Sequence, residues 1–277
     1  MPVITRFTLA GPRPADPANH AKAIRALVLA WIASGSPDVA RASHDLGGLK
    51  PYSIGPLTRI SSTNLWTFDV RFVDDRLEPM VVHGAGAVGT SKRLGADTYQ
   101  LALEPQEIRR ASWEQIIRSA RACALWRIRF ETPTAHRTGT SSRVVRPVPD
   151  IQVYGRGWLA RWKGFAPVPL PDGVDLAVEA LAITAQMGRT ADVALDPGRS
   201  VTGFVGTIDL EMGHPEHQAP EVLSAIDALL TLAEFGGTGM ETMRGMGVTV
   251  RARAWDAIPL VASGRLRGGG WRRNRDV

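Results

Sequence analysis

Gly236-Gly237-Thr238-Gly239-Met240-Glu241-Thr242-Met243-Arg244-Gly245-Met246-Gly247, close to the C-terminus, decides the fold through what flanks it. Before it, Leu223, Ile226, Leu229, Leu230 and Ala233 fall at helical spacing; after it, Val248 to Trp255 alternates as a strand does. The order is helix, glycine loop, strand. A dinucleotide fingerprint or a phosphate-binding P-loop needs the reverse order, so that phosphate meets a helix N-terminus. Neither is present. A helix C-cap at Gly236 explains one glycine, not five in twelve residues. The stretch reads as a long loop whose missing side chains let backbone amides approach a ligand, with Arg244 inside it.

Working outward, the order of elements repeats. A strand at Val3–Leu9 leads into a helix from Asp16 to Ser34, with Asp16 at the N-cap and Pro17 at the first helical position. Ile24, Leu27, Val28 and Trp31 form its apolar stripe. An extended segment Lys50–Arg59, a strand Leu65–Val73 with Trp66, Phe68, Val70 and Phe72 on one face, a short helix Arg76–Val88 and a strand Thr98–Leu103 follow. This is β-α-β-β-α-β, a ferredoxin-like unit. Ser112-Trp-Glu-Gln115 is a capping box that opens a connecting helix, Trp113–Ala122. The second half starts at strand Leu125–Phe130 and passes an irregular region, 137–172, that holds a helix or a long loop around Trp158, Trp162 and Phe165. Strands at Leu181–Leu195 and Ser200–Met212 then precede the last helix, the loop and the final strand. The expected fold is α+β, two tandem ferredoxin-like (RRM-like) domains. Residues 1–108 form the first domain, 109–123 the connecting helix, 124–260 the second domain and 261–277 a basic tail. The symmetry is one of architecture, without a residue-level repeat.

The 277 residues suffice for two cores, and the mean hydropathy near zero with 44% hydrophobic content fits a soluble chain. No apolar run has the length of a membrane span, and the start lacks the pattern of a signal peptide. A single cysteine, Cys123, excludes an internal disulfide and fits a cytoplasmic location. The net charge is +6, but the last fifteen residues carry five arginines and one aspartate, which leaves +2 for the body. A basic surface must therefore arise by sorting charge onto one face.

Lys50-Pro-Tyr-Ser-Ile-Gly-Pro-Leu57, Phe130-Glu-Thr-Pro-Thr-Ala-His-Arg137, Gly203-Phe-Val-Gly206 and Ala233-Glu-Phe-Gly-Gly-Thr-Gly239, continued to Gly245-Met-Gly247, occur in this order. Together they resemble the Cas6 family, the CRISPR-associated endoribonucleases of the repeat-associated superfamily that cut precursor crRNA within its repeats. The resemblance spans almost the whole chain. It implies two ferredoxin-like domains, CRISPR repeat RNA in precursor crRNA as the partner, metal-independent cleavage without a cofactor, and a glycine loop that helps to hold RNA. Other subunits of an interference complex are further implied partners.

RNA carries its own nucleophile, the 2′-OH, so cleavage needs a base, an acid for the departing 5′ oxygen, and positive charge on the phosphorane. His44, on the loop after the first helix and six residues before Lys50, matches with it the positions the family commonly uses. Histidine suits proton transfer near neutral pH, and lysine is a compact charge for phosphate. The chain has only four lysines against twenty-nine arginines. Some family members add a tyrosine on the first helix; this helix has none, Trp31 cannot act as a phenol, and Tyr52 and Ser43 are the nearby polar residues for a third role. Without that tyrosine, a non-cleaving RNA-binding subunit is the alternative reading.

For RNA binding the residues are Gly237, Gly239, Arg244, Gly245 and Gly247 of the loop, then Arg137 and Arg143. The connecting helix's Arg109, Arg110, Arg118 and Arg121 come after them, and His136 is a weaker RNA contact. His214 and His217 have a ligand-like spacing, but Pro215 between them and the absence of a supporting cysteine favour a polar loop over a metal site. His20 and His83 read as surface or helix residues.

Overall fold

The structure is a computed structural model that describes residues 1–14, 17–44, 49–138, 144–196 and 198–251. In the first half, β1 (Val3–Ala10) is followed by α1 (Pro17–Gly35), α2 (Pro37–His44), β2 (Tyr52–Ile54), β3 (Thr58–Arg59), β4 (Leu65–Phe72), α3 (Leu77–Ala85), β5 (Ser91–Leu94) and β6 (Asp97–Arg110). The sheet order is β2-β4-β1-β6-β5, with β3 also on β4. Two of the inner strands, β4 and β1, pair antiparallel in full register, Val3 opposite Phe72 through Ala10 opposite Leu65. Trp66, Phe68, Val70 and Phe72 all point into the core, as the period-2 pattern requires. Phe7, Trp31 and Phe68 stack there with centroids 5.1–6.3 Å apart.

The capping box forms as expected: Ser112 Oγ accepts from Gln115 N at 3.1 Å while Gln115 accepts from Ser112 N at 2.7 Å. It opens α4 (Trp113–Ser119). The second half runs β7 (Leu125–Thr134), β8 (His136–Arg137), β9 (Val145–Arg146), α5 (Ile151–Phe165), α6 (Val174–Glu179), β10 (Leu181–Asp196), β11 (Arg199–Met212), α7 (Pro220–Gly236) and β12 (Thr249–Arg251). Its main sheet has the order β10-β11-β7-β12. Both sheets thus place the second, third, first and fourth strands of the unit side by side, which is the tandem ferredoxin-like arrangement.

Several expectations change. The residues after α1 are not a loop: Ser36 and Pro37 start α2, with Ser36 Oγ accepting from Val39 N at 3.4 Å, and His44 ends it. The extended segment breaks at Gly55-Pro56 into β2 and β3. The irregular region holds α5, started by Asp150, whose side chain accepts from Val153 N at 3.1 Å. Strand β6 runs to Arg110, past the expected boundary at 108. Arg109 and Arg110 are therefore strand residues, not part of the connecting helix, held there by pairing to β1 and by Glu234, Glu107 and Glu78. His20 is a helix residue, one of the two places expected for it, and is buried on α1. The Asp16 cap, Arg143, the end of the last strand beyond Arg251 and the basic tail lie outside the described residues. Among the described residues no helix is long and apolar enough to cross a membrane.

Two large cores lie one under each sheet. The domains are joined where α7 ends. Ser53 Oγ donates to Phe235 O at 3.1 Å, Arg71 to Glu234 O at 3.4 Å, and Arg109 pairs with the Glu234 carboxylate at 2.7 Å while lying over the Phe235 ring. These bonds satisfy carbonyls that a helix terminus leaves open.

Candidate nucleic-acid interface

The glycine loop is where the four sequence blocks meet. Gly247 N donates to Pro133 O at 3.1 Å, Met240 N to Ala135 O at 2.9 Å and Val248 N to Thr132 Oγ1 at 2.9 Å, tying the loop to the end of β7. Gly203 packs its Cα against Pro133 and Thr134, and Gly245 faces Pro56. Within the loop Thr238 N donates to Gly247 O at 2.8 Å. The side chains also decide its role: Met243, on a 3-10 turn, is buried in the first domain's core, and Met246 fills a small third cluster with Ala135, Leu195 and Val201. The loop is thus a bolt between domains. Gly237 and Gly247 are buried at φ +70°, where a side chain is strained, and at Gly247 it would also collide with the Thr238 carbonyl.

Beside this bolt lies a cleft of about 540 Å³. Its cations are Arg25 of α1, Lys50, Arg137 of β8, Arg161 of α5, Arg199 of β11 and Arg244 of the loop. Arg244 pairs with Asp196 at 3.0 Å and Arg199 with Glu241 at 3.4 Å, so these two are partly neutralised. Arg161 is buried, donates to Gly237 O at 2.7 Å, and has its pKa pushed down to about 10 by that burial. The floor is formed by His136, Tyr154 and Gly157. A cleft with such a lining suits a polyanion that also has flat polar groups to bury. A second cleft, about 620 Å³, lies on the other side of Arg244, between His20, Trp66 and Asp192.

Of the residues singled out from the sequence, the structure brings Lys50, Arg137, Gly239 and Arg244 to one cleft. Gly245 opens on the other. His44 is exposed at the end of α2 and is not among the lining residues; the segment 45–48 that joins it to Leu49 and Lys50 is outside the described residues. Tyr52 is wholly buried against Phe72, its hydroxyl without a hydrogen-bond partner and its pKa raised by burial, and Ser43 is buried too. Neither stands on the cleft surface: Tyr52 is buried beside β4, opposite Phe72, with the whole of β2, and Ser43 lies on the buried face of α2. Arg118 and Arg121 are exposed on and after α4, and Arg251 is committed to Asp227 at 2.8 Å. His214, Glu216 and His217 lie together on an exposed 3-10 turn before α7, with ligand atoms within 4.8 Å of one another. The two imidazoles stack at 5.5 Å. His136, expected as a weaker RNA contact, lines the same cleft, as does Tyr154, for which the sequence carries no signal.

Two ferredoxin-like domains in tandem, bolted by a glycine-rich loop after the last helix, define the class of fold. Residues 128–249 match the family model of the CRISPR-associated endoribonuclease Cas6. No curated protein matches it in sequence. Among solved structures, a Thermus thermophilus Cas6 in a product complex is 24% identical with a TM-score of 0.79, over 91% of this chain and 100% of that one. A Cas6 in a substrate mimic complex is 19% identical with a TM-score of 0.69, over 91% and 99%. A Cas6-related protein from Pyrococcus furiosus is 10% identical with a TM-score of 0.61, over 92% and 100%. At these identities the likeness is one of fold.

Proposed function

We propose that this chain binds CRISPR repeat RNA in precursor crRNA, in the cytoplasm, and cleaves it once per repeat without a metal ion. The observation that carries the reading is the cationic cleft at the junction of the four blocks, where Lys50 and Arg137 lie beside Gly239 and Arg244. In the proposed reaction the 2′-OH attacks the adjacent phosphorus while His44 serves as base for its proton or as acid for the leaving oxygen. The P–O5′ bond breaks, giving a 2′,3′-cyclic phosphate and a 5′-OH. Lys50 offsets the charge of the phosphorane. Arg137, Arg143, Gly239, Arg244 and Gly245 hold the RNA, and Gly237 and Gly247 give the loop its shape. Exposure of His44 leaves its imidazole accessible to a substrate that crosses the end of α2.

The test is incubation of labelled repeat RNA with the protein in EDTA. Cutting that persists, with product ends sensitive to a cyclic-phosphate phosphodiesterase, is the expected result, and His44→Ala reduces the rate at least a hundredfold. A divalent-metal requirement, or unchanged cutting by His44→Ala, overturns the mechanism. The inward position of Tyr52 and Ser43 favours a second reading, a subunit that holds repeat RNA without cutting it. Tight binding with intact RNA after long incubation selects that one.

A further inference from the structure

The floor of the cationic cleft contains polar groups that the protein leaves unsatisfied. His136 is 2% exposed and Tyr154 1%, yet neither imidazole nitrogen and not the phenol oxygen has a hydrogen-bond partner. The nearest carboxylate, Asp150, is 3.9 Å from His136 Nε2, beyond hydrogen-bonding range, and its other oxygen accepts from Val153 N at the start of α5. The two rings pack edge to face at 5.6 Å, which fixes their orientation. Orphaned polar atoms at this depth are uncommon in a native fold, and these two residues, unlike Tyr52 and Tyr99 with their equally unpartnered hydroxyls, line a cleft. A second oddity lies one helical turn away. Gly157 is exposed in the middle of α5, where glycine is unfavourable, and a Cβ built on it would meet no atom within 4 Å. Nothing in the protein requires that glycine, whereas Gly155 two residues earlier is forced by Val178.

Resting on the RNA reading above, we propose that this floor is a pocket for one unpaired nucleobase. The base slides over the bare backbone at Gly157 and presents its donor and acceptor edge to His136 and Tyr154. Its flanking phosphates meet Lys50 and Arg137 at the rim. Neutral imidazole offers one donor and one acceptor, and the phenol offers one of each, so together they read an edge in which both kinds of group lie side by side. His136 and Tyr154 are thereby specificity residues of the RNA site, separate from the cutting residues.

The test uses the full chain, Tyr154→Phe and Gly157→Leu, with binding of repeat RNA read by fluorescence anisotropy. RNAs with a single abasic nucleotide at each repeat position in turn complete the set. Tyr154→Phe removes only the hydroxyl, and Gly157→Leu fills the open floor with a good helix former, so a melting curve no lower than the parent's is expected for the second. Each variant is expected to bind intact repeat about tenfold more weakly. One abasic position weakens the parent by a similar factor, and on that RNA the variants lose nothing more. Variants that match the parent on every RNA overturn the pocket while leaving RNA binding in place. A uniform loss on all RNAs, the abasic ones included, overturns it too, since the residues would then serve general grip. Failure of the parent protein to bind any repeat RNA overturns the functional reading and the pocket together.

Discussion

Gly245 and Gly247 lie two residues apart in one loop, both left-handed at φ +80° and +70°, yet alanine should cost very different amounts at the two. At Gly245 a Cβ finds only Pro56, at 3.9 Å, so the cost is the left-handed strain alone, about 1 kcal/mol. At Gly247 the added carbon overlaps the Thr238 carbonyl oxygen, a backbone atom that cannot rotate away. Relieving the overlap moves the two strands of the loop apart. That breaks Thr238 N to Gly247 O at 2.8 Å, Gly247 N to Pro133 O at 3.1 Å and Thr249 Oγ1 to Gly247 O at 3.0 Å. At about 1 kcal/mol each these add to the strain for a total of about 4 kcal/mol. For a chain of this size the melting temperature falls about 3 °C for each kcal/mol. Thermal unfolding followed by circular dichroism should therefore give a drop of about 3 °C for Gly245→Ala and about 12 °C for Gly247→Ala. Equal shifts would refute the claim that the loop is shaped by contact with itself and with β7.

Met243→Ala removes a buried side chain from the first domain's core and should cost about 3 kcal/mol, read as an earlier midpoint in urea. Asp227→Asn leaves Arg251, the Trp126 indole N–H and Arg121 N around a buried neutral amide; a loss of about 3–5 kcal/mol is expected by the same assay. Burial lowers the His136 pKa, so the unfolded chain binds more protons at acid pH. Its contribution to stability is complete above the unfolded value of about 6.5 and shrinks as pH falls below it. Melting curves from pH 7.5 to 5 should show a decline that is shallower in His136→Gln.

The strands were legible because the sheets bury one face: apolar and polar residues alternate from Trp66 to Phe72 and from Trp126 to Phe130, and only Arg71 is buried against the pattern. The second helix was missed: Ser36-Pro37-Asp38 is a start signal, but the polar stretch that follows hid it. What could not be read was which face of an irregular segment turns inward. Tyr52 lies in a three-residue strand, too short to show a period, and its burial is decided by β4 beside it. Met240, Met243 and Met246 recur every third residue, a spacing that the glycines around them masked as loop. Contacts such as Arg109 to Glu234 join residues more than a hundred positions apart and have no local signature.

The small net charge of the body bears on how RNA would be held. If binding used the general surface, the excess of only +2 outside the last fifteen residues could not neutralise many phosphates. Sorting of charge into the cleft changes the expectation: Arg199 and Arg244 face Glu241 and Asp196, while Arg25, Lys50, Arg137 and Arg161 line the rest. With Arg161 buried on Gly237 O, the other three cations imply three phosphate contacts, so for single-stranded RNA log K falls against log salt with a slope of about −2. A titration between 50 and 400 mM salt measures it, and Arg137→Ala should reduce the slope by about 0.7 while leaving the preference among RNA sequences unchanged. A slope near −8, unaffected by Arg137→Ala, would place the RNA on the outer surface and remove the cleft from the account of binding.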